Sequence, residues 1–226
     1  MTIDFETRVS KKAKRPRIDV NIRGVTVVVP KGSGLDPEEL IEKKRDWVEE
    51  KVEKYRQHRE KIPARQFNVG AEWPYLGEMY ELQLKENRRD IHSNTIILPR
   101  KQVKKKTIKD ELEKFYRERA RDRFKGLTEK WAKALNVRYN KIYIRNQRTK
   151  WGSCSSKGNI SFNFRLMMGP PEISKYIVIH ELCHLKHPNH GKKFYRELQY
   201  HSPNHSAHEQ WLEENSVRLI FTRDDL

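Results

Sequence analysis

The apolar positions of this chain change period several times, and each change marks an element. From Ile18 to Pro30, β-branched residues stand on both sides of Arg23-Gly24 and predict a two-stranded hairpin. Asp36-Pro37-Glu38-Glu39 then starts a helix, with a capping side chain, a proline in the first turn and early acids. Leu40, Ile41, Trp47, Val48, Val52 and Tyr55 follow at helical spacing, which predicts one helix from about Pro37 to Arg59. "FNVGAEWPYLGEMYELQLKE" and "SNTIILP" return to alternation and turns. Residues 1–100 are therefore expected to form a β-rich lobe with one long helix.

Beyond Pro99 the pattern is helical again, from roughly Thr107 to Leu135. Leu112, Phe115, Tyr116, Ala120, Phe124, Leu127, Trp131 and Leu135 make one apolar stripe there. "KIYIRNQ" and "GNISFNFRLMM" read as strands, the second alternating Ile160, Phe162, Phe164 and Leu166 with Ser161, Asn163 and Arg165. The turn-forming "TKWGSCSSKG" separates them. Pro170-Pro171-Glu172 opens a helix that contains His180, and two short helices close the chain, near Lys192–Tyr200 and Ala207–Leu219. The class is α+β, with a second domain over residues 101–226.

Composition narrows the setting. Hydrophobic and charged residues each make up 35% of the chain, so a compact core lies under a densely ionic surface. No apolar run approaches the ~20 residues that a membrane helix requires. The first residues show no apolar secretion signal, and the cysteines are only Cys154 and Cys183. A disulfide framework is excluded, and a reducing cytoplasm is the expected location.

The chemistry concentrates in "VIHELCHLKHPNHGKKF", Val178 to Phe194. His180 and His184 stand four apart, about 40° round a helix and one turn above each other, so both imidazoles can reach one ion. Glu181 lies about 100° round from His180, near enough to touch a water on that ion without displacing it. Ile177, Val178, Ile179, Leu182 and Leu185 make the helix apolar enough to be buried, where unpaired polar groups are costly. Zinc suits imidazole ligands, and a catalytic zinc commonly keeps three protein ligands and one open position. Three sources for the third ligand stand open on geometry. His187 precedes Pro188, which pushes it out of helical conformation. His190 follows the break, beside Gly191, where the chain can return to the helix face. Glu197, Glu209 or Glu213 can supply a carboxylate from a later helix.

The stretch "QRTKWGSCSSKGNISFNFRLMMGPPEISKYIVIHELCHLKHPNHGKKFY" resembles the YgjP-like metallopeptidases, whose pattern runs W-G-S-C, a strand, then H-E-L-x-H and a further histidine six residues on. More widely it is similar to zinc peptidases related to SprT and to the WLM family, which act on DNA-bound protein. The resemblance implies a zincin-like domain, with its active-site helix packed on a small sheet. It also implies one Zn2+ per chain held by His180, His184 and His190, and Glu181 as general base. The expected activity is hydrolysis of protein or peptide bonds by a zinc-activated water.

Two further expectations concern partners. If the alternating strand from Asn159 to Leu166 borders the cleft, an extended peptide can pair with it, which makes Asn159, Ser161 and Asn163 candidate substrate-binding residues. The net charge is +17, and residues 99–158 carry 20 basic against 6 acidic side chains. That concentration points to nucleic acid, with Lys104, Lys105, Lys106 and Lys109 as candidate phosphate contacts at a helix start. The usual alternative for such a run is a solvated face balanced by scattered acids. Two other functions fit the same residues: a zinc-dependent nucleotide phosphohydrolase, and a basic nucleic-acid-binding module with a structural zinc.

Overall fold

In the computed structural model, residues 3–86, 88–104 and 107–225 are described. Lys105 and Lys106, two of the four lysines expected at phosphates, lie outside them. The chain divides into two compact units, at Pro63/Ala64 rather than near residue 100.

The first unit has three strands and two helices: β1 (Phe5–Ser10), β2 (Arg17–Asn21), β3 (Gly24–Pro30), α1 (Pro37–Glu42) and α2 (Arg45–Glu60). The expected hairpin is β2–β3, which turns at Gly24 with φ +137°. The sequence reading missed β1, which pairs parallel to β3 and completes the order β1-β3-β2. Val25, Val27 and Val29 of β3 meet Ile41 and Val48 of the two helices in a small core. The expected single helix is broken at Lys43–Lys44. A straight helix over Pro37–Arg59 would run to about 35 Å, well past strands of five to seven residues. The break lets both helical pieces stay over the small sheet.

The second unit starts with β4 (Glu72–Tyr75), β5 (Glu78–Lys85), β6 (Asp90–His92) and β7 (Thr95–Pro99), in the order β4-β5-β7-β6. These strands were expected to belong with residues 1–63, and packing shows why they do not. Trp73 is fully buried against Tyr116 and Phe221, and the Tyr116 hydroxyl donates to the Pro74 carbonyl at 2.5 Å. Leu76 N–H reaches the Met167 carbonyl at 2.8 Å, and a Cβ on Gly77 would stand 3.3 Å from Pro170 Cα. Alternation announces a strand; it does not say which core the strand joins.

After α3 (Arg100–Val103) comes α4 (Ile108–Leu135). Thr107 and Asp110 form a reciprocal capping box at its start, and Asn136 ends it in the left-handed conformation, φ +51°. Its buried face, Leu112, Phe115, Tyr116, Ala120, Phe124 and Leu135, follows the expected stripe, with Leu127 and Trp131 partly buried beside it.

The third sheet is built from β8 (Ile142–Arg145), β9 (Gly152–Cys154) and β10 (Ile160–Asn163), in the order β8-β10-β9. Phe162 of β10 stacks on Phe124 of α4, centroids 4.5 Å apart. The strand stops at Asn163, where a strand to Met168 was expected. Asn163 Oδ1 accepts the Arg165 N–H, and Phe164–Met168 coil into a 3-10 turn with every side chain buried. Then follow α5 (Pro171–Cys183), α6 (Lys192–His201) and α7 (His205–Asn215), with a 3-10 turn over Ser216–Leu219. Apolar on nearly every face, α5 runs through the core, with Ile173, Val178, Ile179, Leu182 and Cys183 buried. No helix among the described residues is long and apolar enough to cross a membrane.

Candidate metal centre

The core helix α5 carries His180 and Glu181, and His184 caps its end. A further turn leads to His187, whose N–H still reaches the Cys183 carbonyl at 2.9 Å, and Pro188 then breaks the helix. The chain folds back through Asn189, His190 and Gly191 into α6. The imidazoles of His180, His184 and His190 converge, with one ring nitrogen of each lying within 4.8 Å of the others. Nε2 of His180 and Nε2 of His190 are 3.0 Å apart. Four ligands at a tetrahedral zinc, with Zn–N near 2.0–2.1 Å, imply nitrogen separations of about 3.3 Å. The donor set, its spacing and its neutral imidazole chemistry therefore fit a zinc ion.

Each histidine is held differently. His184 Nδ1 lies 3.1 Å from the His187 carbonyl, an arrangement in which Nδ1–H donates and Nε2 is left as the free lone pair. His187 thus contributes its backbone, and its ring lies outside the cluster. His180 is pushed down to about 3, first by burial and then by its neighbours His184, His190 and His205. Burial also lowers His184. These two rings stay neutral, the state a metal ligand needs. His180 Nδ1 is buried with no hydrogen-bond partner among the described residues. Phe194, fully buried in the first turn of α6, packs on all three rings at centroid distances of 5.0, 4.7 and 4.6 Å. The sequence reading missed Phe194; its signal was an apolar residue four positions after His190. Of the acids considered as third ligand, Glu197 is engaged elsewhere, 2.7 Å from Lys186 Nζ.

Glu181 is buried, which raises its carboxyl to about 8, with Lys150 pulling the other way. Its side chain occupies the space beside Gly152, where a Cβ would stand 2.5 Å from Oε1. Gly152, in "WGSC", is thereby a requirement of the site. A cleft of about 550 Å3 opens between β9 with its following turn and the histidine segment. Cys154 borders it with its thiol raised to about 11, by burial first and by Glu181 second. Its sulfur is not part of the histidine cluster.

The expected substrate strand is corrected by the sheet order. β10 is the central strand, parallel to β8 and antiparallel to β9, so both its edges are used. Asn159 N–H is bonded to Ser155 Oγ at 3.1 Å, and Ser161 sits opposite Ser153. Asn163 is fully buried and donates to the Gln147 and Lys150 carbonyls at 2.7 and 3.2 Å. These residues build the wall from behind, and the strand on the cleft is β9.

The segment "HSPNHSAH" holds a second group of histidines. His201 ends α6, His205 and His208 lie on α7, and all three are half-buried.

The basic segment also divides. Arg117 pairs with Glu113 and lies over Phe164; Arg119 pairs with Asp90; Arg123 donates to Ser174 Oγ and the Pro171 carbonyl. These cations are structural. Lys104 is exposed and Lys109 half-buried. Lys114, Arg121 and Lys125 are exposed along one face of α4, with no ion-pair partner among the described residues.

A family model described as "YgjP-like, metallopeptidase domain" matches residues 14–215. No curated protein matches the chain. Among solved structures, the metallopeptidase zymogen of Pyrococcus abyssi abylysin is 24% identical, with a TM-score of 0.36, over 39% of this chain and 90% of that one. The metallopeptidase zymogen of Methanocaldococcus jannaschii jannalysin is 27% identical, with a TM-score of 0.38, over 43% of this chain and 97% of that one.

Proposed function

Because the chain belongs to the YgjP-like metallopeptidase domain family, we propose that it cleaves peptide bonds with one zinc ion held by His180, His184 and His190 and with Glu181 as general base. The observation that carries this is the convergence of three imidazoles beside a buried carboxyl group. A zinc ion bound there supplies a Lewis acid for a peptide carbonyl and lowers the pKa of water towards neutrality. Glu181 lines the same cleft; a metal cation beside it would favour its ionised form, and that carboxylate takes the proton of the attacking water and returns it to the leaving amine. Gly152 leaves room for this carboxyl group, and Phe194 keeps the three rings from turning away.

The peptide docks along β9. That strand pairs with β10 on one side and borders the cleft. An extended segment added to its other edge gains main-chain hydrogen bonds and lies across the face of the site. The nucleic-acid part of the reading now rests on Lys114, Arg121 and Lys125, which span about 16 Å of α4, enough for two or three backbone phosphates. A substrate protein bound to DNA would be brought to the cleft by that face.

The test measures metal and cleavage together on an unfolded protein substrate. Wild type binds one zinc per chain and cleaves; chelation abolishes cleavage and zinc restores it. Glu181→Gln keeps the zinc and loses cleavage, whereas His190→Ala loses both. Cleavage retained in Glu181→Gln sinks the assignment of the base. Release of phosphate from nucleotides with no peptide cleavage replaces the reading with a phosphohydrolase.

A further inference from the structure

The cleft wall opposite the histidines is not chemically neutral. Lys150 stands at its mouth, two residues before β9, and Ser153, Ser155 and Ser156 line it beyond. Lys150 is exposed and has no ion-pair partner among the described residues. Among the described residues, the only carboxyl group lining the cleft belongs to Glu181.

The backbone that presents Lys150 is held unusually firmly for an exposed loop. Fully buried Asn163 donates to its carbonyl at 3.2 Å and to that of Gln147 at 2.7 Å. Arg165, 3% exposed, donates to the same Gln147 carbonyl at 2.8 Å and lies over the Trp151 ring, its guanidinium carbon 5.1 Å from the centroid. Two buried polar side chains are thus spent on fixing residues 147–151. Desolvating a guanidinium is expensive, and the expense secures the register of β9 and the place of the one lysine beside it. Lys150 and Gly152 line the same cleft. A Cβ on Gly152 points at Glu181, and the charge of Lys150 reaches Glu181 too. A cleft lined by one ammonium and three serines suits a carboxylate.

We propose that Lys150 is a specificity-determining residue that binds a substrate carboxylate next to the scissile bond. This rests on the peptidase reading above. The carboxylate comes from an aspartate or glutamate side chain, or from the C-terminus of a short peptide; the chemistry is shared and the experiment separates the sources.

Binding is measured on the full chain carrying Glu181→Gln and loaded with zinc, by fluorescence anisotropy. The labelled peptides differ at one position, Asp, Asn or Lys, and each is made with a free and an amidated C-terminus. With a side chain as the source, the Asp peptide binds about tenfold more tightly than the Asn peptide, a difference of about 1.4 kcal/mol. Adding Lys150→Ala removes the difference, and adding Lys150→Glu inverts it in favour of the Lys peptide. If a side chain is the source, amidation changes nothing. If the terminus is the source, amidation costs about tenfold and the variable position is silent. Equal affinities for all six peptides, or a preference for acid that survives Lys150→Glu, overturns the proposal. A lysine that acts only by tuning Glu181 would shift the pH profile of cleavage equally for every peptide and leave the charge preference intact. Wild type that cleaves none of the peptides rejects the peptidase reading, while the anisotropy series still decides the role of Lys150.

Discussion

The carboxyl group of Glu181 fills the space a side chain at Gly152 would need: a Cβ there would lie 2.5 Å from Oε1 and 2.7 Å from Cγ. Strand β9 and helix α5 therefore meet through an absence of side chain. Gly152→Ala must push Glu181 aside. Displacements of about 1 Å in a catalytic group cost on the order of 100-fold in rate. We expect a fall of about that size in kcat, with zinc still at one per chain by metal analysis, since the atoms nearest that Cβ all belong to Glu181. Loss of zinc in Gly152→Ala would show that the strand also shapes the metal site.

Stability without metal has a pH optimum with two different limbs. His180, His184 and His208 are lowered by burial. Below their ordinary 6.5 the unfolded chain binds protons that the native one refuses, so stability falls with pH, for His180 down to about 3. Glu181 is raised to about 8, so the native state holds its proton between 4.5 and 8 and loses that advantage as pH rises through 8. Urea midpoints in chelator should therefore peak near pH 6.5, where the two limbs cross. Glu181→Gln should flatten the alkaline limb and leave the acid limb in place.

Arg89 joins Glu111 and Glu118, at 2.6 and 2.8 Å, and the Glu111 side chain is 1% exposed. Arg89→Met strands a buried carboxylate and should cost roughly 3–5 kcal/mol in urea unfolding. Arg89→Met with Glu111→Leu should recover most of it. A double variant as unstable as the single one would mean that the arginine's packing, not its charge, holds β6 near α4.

Replacing Lys114, Arg121 and Lys125 by Gln tests the face of α4. If each contacts a phosphate, the dependence of log affinity on log salt should become shallower by about 2.7 for duplex DNA. Proteolysis of free unfolded protein should be unchanged. An unaltered salt slope would dismiss this face as a nucleic-acid surface.

Much of the site was legible because local rules govern it. The helix period places His180, Glu181 and His184, and Pro188 separates His187 from His190 by backbone sterics alone. The same holds for α4, whose cap and stripe lie within one segment. Sheet order was not legible, since β10 becomes central only through partners at residues 142–145 and 152–154. Asn163 consequently read as a substrate contact when it is a buried brace. The division into contact units at residues 63 and 64 was not legible for a related reason: Trp73 is apolar in either lobe, and its packing on Tyr116 and Phe221 is a matter of tertiary structure.

Strand β9 is three residues long, begins with glycine and, among the described residues, pairs along one edge only. So short an edge gives an incoming chain few main-chain bonds, too few to unravel a helix or peel a strand from its sheet. If peptides dock on that edge, a client must arrive already extended. The enzyme would then sort proteins by their state of folding before it reads any side chain, and an intact fold would be its own protection.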